Sequence, residues 1–395
     1  MKFTSAQIWL EELVRLPSIN PGGAGKVDPQ LHGEKRVTDW LENWAKSKKI
    51  QYFRQNVLPD RDNLVMVVGP DDPHAKAQLW EVHQDTVDIA GMTVPPFEAR
   101  VQDGKLFGRG ACDVKGSMAS MLAALERLHY ERPQKAWKIV LACTVDEEHT
   151  FQGVQALRGN ERGFIRVNDS HQLKPEFAVV AEPSQLGLIT AHKGVIRWYI
   201  RVEGSACHSS TPHLGSNAIY GAAKLASRIA RLHSEIQQKS PDAISAGSIS
   251  LTQISGGSAP NIVPSECTLL LDRRIGFKEC TEEAENQLKT LLAQIDLGEG
   301  LRCELSTPII RCPALQTQGN EAAENHVSKA VRQILGNCTS ATVAFGTDAS
   351  TLAEHGIPSV VFGPGDIRQA HTRDEWINLS EVESAAQILF QLGSG

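Results

Sequence analysis

Acidic and histidine motifs that follow strand signals constrain this chain more than any other feature. His83-Gln84-Asp85-Thr86-Val87 follows an apolar run at residues 78–82, Asp146-Glu147-Glu148 follows residues 138–145, and Ala181-Glu182-Pro183 ends residues 177–181. Gly108-Arg109-Gly110-Ala111-Cys112-Asp113 precedes a helix signal, and Ala370-His371-Thr372 comes shortly after a strand signal at residues 359–362, through Gly363-Pro364-Gly365. In an open α/β sheet, ligand sites gather at the carboxyl ends of strands, so residues distant in sequence can converge there.

The surrounding pattern supports such a sheet. Thr4-Ser5-Ala6-Gln7 resembles a capping box, and the helix it opens should stop before Pro17. A second helix is expected over residues 34–48, with Val37, Trp40, Leu41 and Trp44 on one face, and a third over residues 116–129. Strands are expected at residues 63–68, 78–82, 138–145 and 177–181. Such alternation means an α/β fold, a sheet with helices on both faces.

The rhythm changes in the middle of the chain. Residues 195–203 read as a strand, 216–238 as a helix, 248–254 and 265–274 as strands, 281–295 as a helix and 301–307 as a strand. This βαββαβ order is that of the α+β ferredoxin-like motif. The α/β pattern then returns with a helix over 320–335, a strand at 341–345, a helix near Ala349 and the strand at 359–362. The expected organisation is a discontinuous domain, 1–192 and 308–395, with a second domain, 193–307, inserted into it.

Composition narrows the function. The chain has 395 residues, 41% hydrophobic and 22% charged, enough for two ordinary domains. A net charge of −6 argues against nucleic-acid or anionic-membrane partners. No apolar run reaches the ~18 residues of a membrane span. The N-terminus lacks the apolar core of a secretory signal. The eight cysteines are scattered with no C-x-x-C pair and read as reduced thiols, which favours the cytoplasm.

Each motif has an ordinary reading when taken alone. Asp113 could cap the helix near Gly116, Glu147-Glu148 could be a solvated pair, and Glu182 could open a loop before Pro183. Together they form a parts list for metal-assisted hydrolysis. Two histidines and three carboxylates can hold two divalent cations if one carboxylate bridges them, leaving one carboxylate as a base and another to orient a histidine. Imidazole and carboxylate suit zinc, and carboxylate-rich sites also accept cobalt or manganese.

These motifs resemble those of the co-catalytic metallohydrolase family of acetylornithine deacetylase, succinyl-diaminopimelate desuccinylase, aminoacylase and glutamate carboxypeptidase. The resemblance covers nearly the whole chain and implies a zinc aminopeptidase-like catalytic domain with an inserted lid and dimerisation domain. It implies that His83, Asp113 and Glu182 hold one metal, and Asp113, Glu148 and His371 the other, with Asp113 bridging. Glu147 matches the general base, and Asp85 the partner of the His83 imidazole. In the inserted domain, Gly204-Ser205-Ala206-Cys207-His208-Ser209-Ser210 resembles the segment around a histidine that stabilises the oxyanion from across a homodimer. Gly256-Gly257-Ser258-Ala259-Pro260-Asn261 and Asp272-Arg273-Arg274 also match, implying substrate contacts by Asn261 and Arg274. Strand alternation sends Arg273 to the other face. Gly346-Thr347-Asp348 resembles a further substrate-side turn through Thr347. The resemblance departs at Glu81-Val82, where the family often has a small residue before the first histidine.

The expected activity is removal of the acyl group from an N-acyl amino acid, with acetylornithine deacetylase the nearest likeness and succinyl-diaminopimelate desuccinylase next. A carboxypeptidase or dipeptidase fits the same carboxylate clamp, since a short peptide also presents a free carboxylate near its amide. A catalytically silent binding protein is opposed by the presence of every ligand and of Glu147. A dinucleotide-binding oxidoreductase is opposed by Asp113, which stands where that fingerprint needs its third glycine.

Overall fold

The computed structural model describes residues 4–22, 26–72, 74–238 and 245–395. The chain divides into two compact units, one of Met1–Thr190, Thr317–Thr342 and Thr347–Gly395, the other of Ala191–Gln316 with Val343–Gly346.

The first unit is built on a mixed sheet. Its strands run in the spatial order Gln51–Leu58, Arg61–Val68, Lys138–Thr144, Ala77–His83, Pro175–Val180, Ser359–Phe362, Leu188–His192, Ser340–Val343. The four from Lys138–Thr144 to Ser359–Phe362 are mutually parallel, whereas Arg61–Val68 and Leu188–His192 pair antiparallel on either side of them. Parallel strands buried on both faces read as continuous apolar runs, which is why residues 78–82, 138–145 and 177–181 stand out in the sequence. The side chains alternate across the sheet. Leu64 and Met66, Trp80 and Val82, Leu141 and Cys143, Phe177 and Val179, and Val360 and Phe362 join one core with the helices Ala6–Val14, Lys35–Lys48, Gly116–Glu131, Glu321–Leu335 and Leu379–Ser394. Elsewhere the short helix Asp348–Glu354 packs on Pro175–Val180 and Ser359–Phe362.

Two local expectations change. Ser5, not Thr4, is the N-cap of the first helix and accepts the Gln7 N–H at 3.2 Å. The Gln7 side chain runs forward to Glu11 (2.9 Å) instead of back, so the reciprocal half of a capping box is missing. The polar edge strand Gln51–Leu58 and the C-terminal helix Leu379–Ser394 are additions to the elements expected from sequence.

The second unit has the βαββαβ order. Gly194–Glu203, the helix Ala218–Gln237, Ser248–Gly256, Glu266–Ile275, the helix Thr281–Gln294 and Arg302–Leu305 follow one another along the chain. The sheet order is Ser248–Gly256, Glu266–Ile275, Gly194–Glu203, Arg302–Leu305, all antiparallel, and Ile310–Cys312 also pairs with Gly194–Glu203. Cys267, Leu269, Leu271 and Ile275 alternate into a core with Leu225, Ile229 and Leu232 of the first helix and Leu288 and Leu291 of the second. No helix among the described residues is long and apolar enough to cross a membrane.

Candidate metal centre

The four parallel strands end at one edge of the sheet, and the acidic motifs lie just beyond those ends. His83 is the last residue of its strand and pairs in register with Thr144, two residues before Asp146. Glu182 follows Pro175–Val180, and the chain after Ser359–Phe362 leads to His371.

There the motifs converge into two groups. His83, Glu147 and Glu182 offer ligand atoms that all lie within 4.8 Å of one another, and so do Asp113, Glu148 and His371. Asp113 links the groups. Its Oδ1 lies 3.1 Å from His83 Nε2, and its Oδ2 lies 3.2 Å from His371 Nε2. His371 Nε2 is also 3.2 Å from Glu148 Oε1, and His83 Nε2 is 3.9 Å from Glu182 Oε1. His83 is buried, whereas the His371 side chain is 53% exposed, so one group is deep and the other opens to solvent. The capping alternative for Asp113 is not realised: the helix after it begins at Gly116 without a side-chain cap.

The electrostatics are those of a site short of positive charge. Burial raises the Glu147 and Glu182 carboxyls well above the usual carboxylate range, and neighbouring carboxylates add to the rise. Burial and Asp113 raise Glu148 in the same direction. The contacts with Asp113 and Glu148 push the His371 ring up to about 11. Burial opposes charge on His83, yet Asp113 and the nearby carboxylates raise it well above its ordinary value. Burial also opposes charge on Asp113, but the two rings hold it below the carboxylate range. Four carboxylates around two imidazoles balance only by holding protons. Divalent cations would supply that balance, and oxygen and imidazole donors fit them.

The Asp85 carboxylate has a different task from the one expected. His83 Nδ1 meets the Asp85 backbone carbonyl at 2.9 Å, while the nearer carboxylate oxygen is 3.7 Å away. The carboxylate instead accepts the backbone N–H groups of Glu147 (3.2 Å) and Glu148 (3.0 Å) and the Asn20 amide (2.7 Å). It therefore holds the turn that carries the candidate base. More of that turn is fixed by residues that the sequence reading did not single out. Asp146 has φ 70, its N–H donates to Glu34 at 3.2 Å, and Arg61 bridges Glu34 (2.5 Å) and Asp146 (3.0 Å). Glu375 is likewise new. It is buried, and its carboxylate accepts the N–H groups of Gly110, Cys112 and Asp113. No local pattern marks it beyond its place four residues after His371.

The substrate-side residues sit in their own units. In the second unit, Cys207–His208 pairs with Ile262–Val263, and the Ser209 N–H donates to the Asn261 carbonyl at 2.9 Å, so His208 and Asn261 are neighbours. Both are exposed. His208 Nδ1 lies 2.7 Å from the Ser210 hydroxyl and 3.2 Å from the Ser210 N–H, an arrangement in which a neutral ring carries its proton on Nε2. Arg273 and Arg274 take opposite faces, as alternation requires. Arg273 is buried against Glu279 (2.8 Å), and Arg274 is half-buried, with Nε 2.7 Å from Asp272 Oδ1. Thr347, expected at a substrate-side turn, is fully buried in the first unit as the N-cap of Asp348–Glu354, its hydroxyl accepting the Ala349 N–H at 3.2 Å.

Comparison with known proteins agrees with this fold. The chain is 30% identical over 378 residues to an acetylornithine deacetylase of Pasteurella multocida, covering 93% of this chain and 92% of the relative. It is 28% identical over 353 residues to that of Myxococcus xanthus, covering 88% of each. Among solved structures, a tripeptidase from Staphylococcus aureus superposes with a TM-score of 0.75 at 22% identity, covering 98% of this chain and 97% of the other. A metallo-carboxypeptidase of the M20 family from Sulfolobus solfataricus superposes with a TM-score of 0.72 at 14% identity over 99% of each. The model of peptidase family M20/M25/M40 matches residues 79–393, and the chain belongs to that family of hydrolases.

Proposed function

We propose that this protein is a two-metal amidohydrolase that removes the acyl group from an N-acyl amino acid, with N-acetylornithine the leading substrate. The observation that carries the reading is Asp113, whose two oxygens face two different histidines at 3.1 and 3.2 Å beside Glu147. Its substrate side draws on the acetylornithine deacetylases to which the chain is 28–30% identical.

His83, Asp113 and Glu182 would hold one cation and Asp113, Glu148 and His371 the other, zinc first and cobalt or manganese as alternatives. Such a pair supplies positive charge that acidifies water and polarises an amide carbonyl. Glu147 accepts the proton of the attacking water. The water oxygen bonds to the acyl carbon, the C–N bond breaks, and Glu147 passes the proton to the departing amine. Asp85 keeps Glu147 in place through the backbone. The exposed Nε2–H of His208 donates to the oxyanion, delivered across a homodimer formed through the second unit. Arg274 takes the substrate carboxylate, a task that suits a planar guanidinium but requires sharing or leaving Asp272. Asn261 is a further substrate contact that the family resemblance implies, and Thr347 acts only through the turn it caps at the start of Asp348–Glu354. The eight cysteines are scattered with no C-x-x-C pair, which favours the cytoplasm as the site of action.

A panel of N-acetyl, N-succinyl and N-formyl amino acids and dipeptides, assayed with added zinc or cobalt, tests the proposal. Preference for N-acetylornithine supports it. Preference for an N-succinyl substrate moves the acyl specificity, and cleavage of dipeptides alone replaces the deacylase reading with a peptidase.

A further inference from the structure

The loop that presents Asp113 is tied to the helix after it through the Gly116 N–H, which donates to the Ala111 carbonyl, and is also held from a distant segment. Gly110, at φ 80, turns the chain so that several N–H groups point to one place, a backbone concavity suited to an anion. Glu375 fills it. One carboxylate oxygen accepts Gly110 N–H at 3.0 Å and Arg109 Nη1 at 2.7 Å. The other accepts Cys112 N–H at 2.9 Å and Asp113 N–H at 3.0 Å. The Glu375 backbone carbonyl also accepts the Gly108 N–H at 3.0 Å.

Arg109 extends the contact further. Its Nε donates to the Asp88 carbonyl at 3.0 Å and its Nη2 to the Thr372 carbonyl at 3.4 Å, next to His371. His371 has φ 59, a left-handed conformation that a histidine keeps only when its surroundings hold it. The pair is almost fully shielded, with side-chain exposures of 3% and 1%. Removing one partner from such a pair leaves an uncompensated charge, whereas keeping both fixes geometry.

We infer that Glu375 is a positioning residue that sets Asp113 between His83 and His371, and that Arg109 couples this loop to the segment carrying His371. Through the two residues, the ligand shared by both cation groups and the solvent-facing histidine are held by one ion pair. The inference rests on the two-cation reading of the site.

The test is a cobalt titration of metal-free protein, read by visible absorption and by metal content, with unfolding midpoints measured in parallel. Wild-type protein should bind two cobalt ions per chain; if it does not, the two-cation reading itself falls. Glu375→Gln presents an amide to the converging N–H donors. It should lose affinity by ~10- to 100-fold, the usual effect of disturbing a ligand's support, and show a shifted cobalt spectrum. Arg109→Lys keeps the charge beside Glu375 but loses the fork to Asp88 and Thr372. It should weaken chiefly the ion held by His371, and it keeps the question open to experiment if Glu375→Gln does not fold. Glu126→Gln, which breaks the Lys48–Glu126 pair (2.6 Å) away from the site, controls for lost stability and should leave the cobalt spectrum unchanged. Wild-type stoichiometry, affinity and spectrum in either site variant, whatever its unfolding midpoint, would overturn the role assigned to that residue.

Discussion

The backbone N–H of Glu147 donates to Asp85 Oδ1 at 3.2 Å. This contact makes Asp85 a support for the turn that carries the proposed base as much as for the proposed ligand His83, because the His83 ring reaches only its carbonyl. Asp85→Asn keeps that carbonyl but turns an amide towards N–H donors. Turnover should fall by ~10- to 100-fold while metal content stays at the wild-type value. Metal analysis beside steady-state kinetics checks this; parallel loss of metal would return the carboxylate to the histidine.

Glu147 contributes no ligand in the proposed mechanism. Glu147→Gln should therefore keep its metal and lose turnover by ~100-fold or more, the scale of a missing general base. Near-normal turnover would place the base elsewhere.

His208→Ala should reduce turnover by ~100- to 1000-fold with metal content and folding intact, as for loss of an oxyanion donor. Mixing it with Glu147→Gln chains tests delivery across the dimer. A mixed dimer has one site defective in both residues and one wild type in both, so activity should return as subunits exchange. Exchange confirmed by mass without return of activity would confine His208 to its own chain or remove it from the reaction.

Parts of this architecture were legible in the sequence and parts were not. Ala77–His83 and Lys138–Thr144 could be read because strands buried on both faces leave apolar runs. The βαββαβ order could be read because helix and strand periods alternate cleanly between Gly194 and Leu305. Gln51–Leu58 could not, since an edge strand with Arg54, Gln55 and Asn56 lacks that signal. Glu375 is one of two adjacent acids in a loop, beside Asp374, and its contacts depend on three N–H groups arriving from a distant segment. Thr347 was recognisable as part of a turn, but its role as a buried N-cap appears only from its bond to the Ala349 N–H. The Asp85 carboxylate meets a different partner from the one expected, because the strand end brings the Glu147 backbone closer than the His83 ring.

His192 gives the fold a pH dependence separate from the metal ligands. Burial lowers its pKa to about 4, below the ordinary 6.5 that it regains on unfolding. Between those values the unfolded chain binds the extra proton, so stability is full above ~6.5 and falls as pH drops towards 4. The whole effect is on the order of 3 kcal/mol. In metal-free protein, His192→Gln should flatten the acid side of the stability curve over this window. Denaturant unfolding of both proteins at neutral pH and near pH 4.5 measures it, and equal losses would contradict it.

The central claim is that Asp113 joins two cations. Zinc-edge anomalous diffraction from crystals grown with zinc tests it most directly. The account predicts two peaks per chain, ~3.5–4 Å apart, with one Asp113 oxygen on each, His83 and Glu182 on the first, and Glu148 and His371 on the second. A single peak, or two peaks that do not share Asp113, would contradict it.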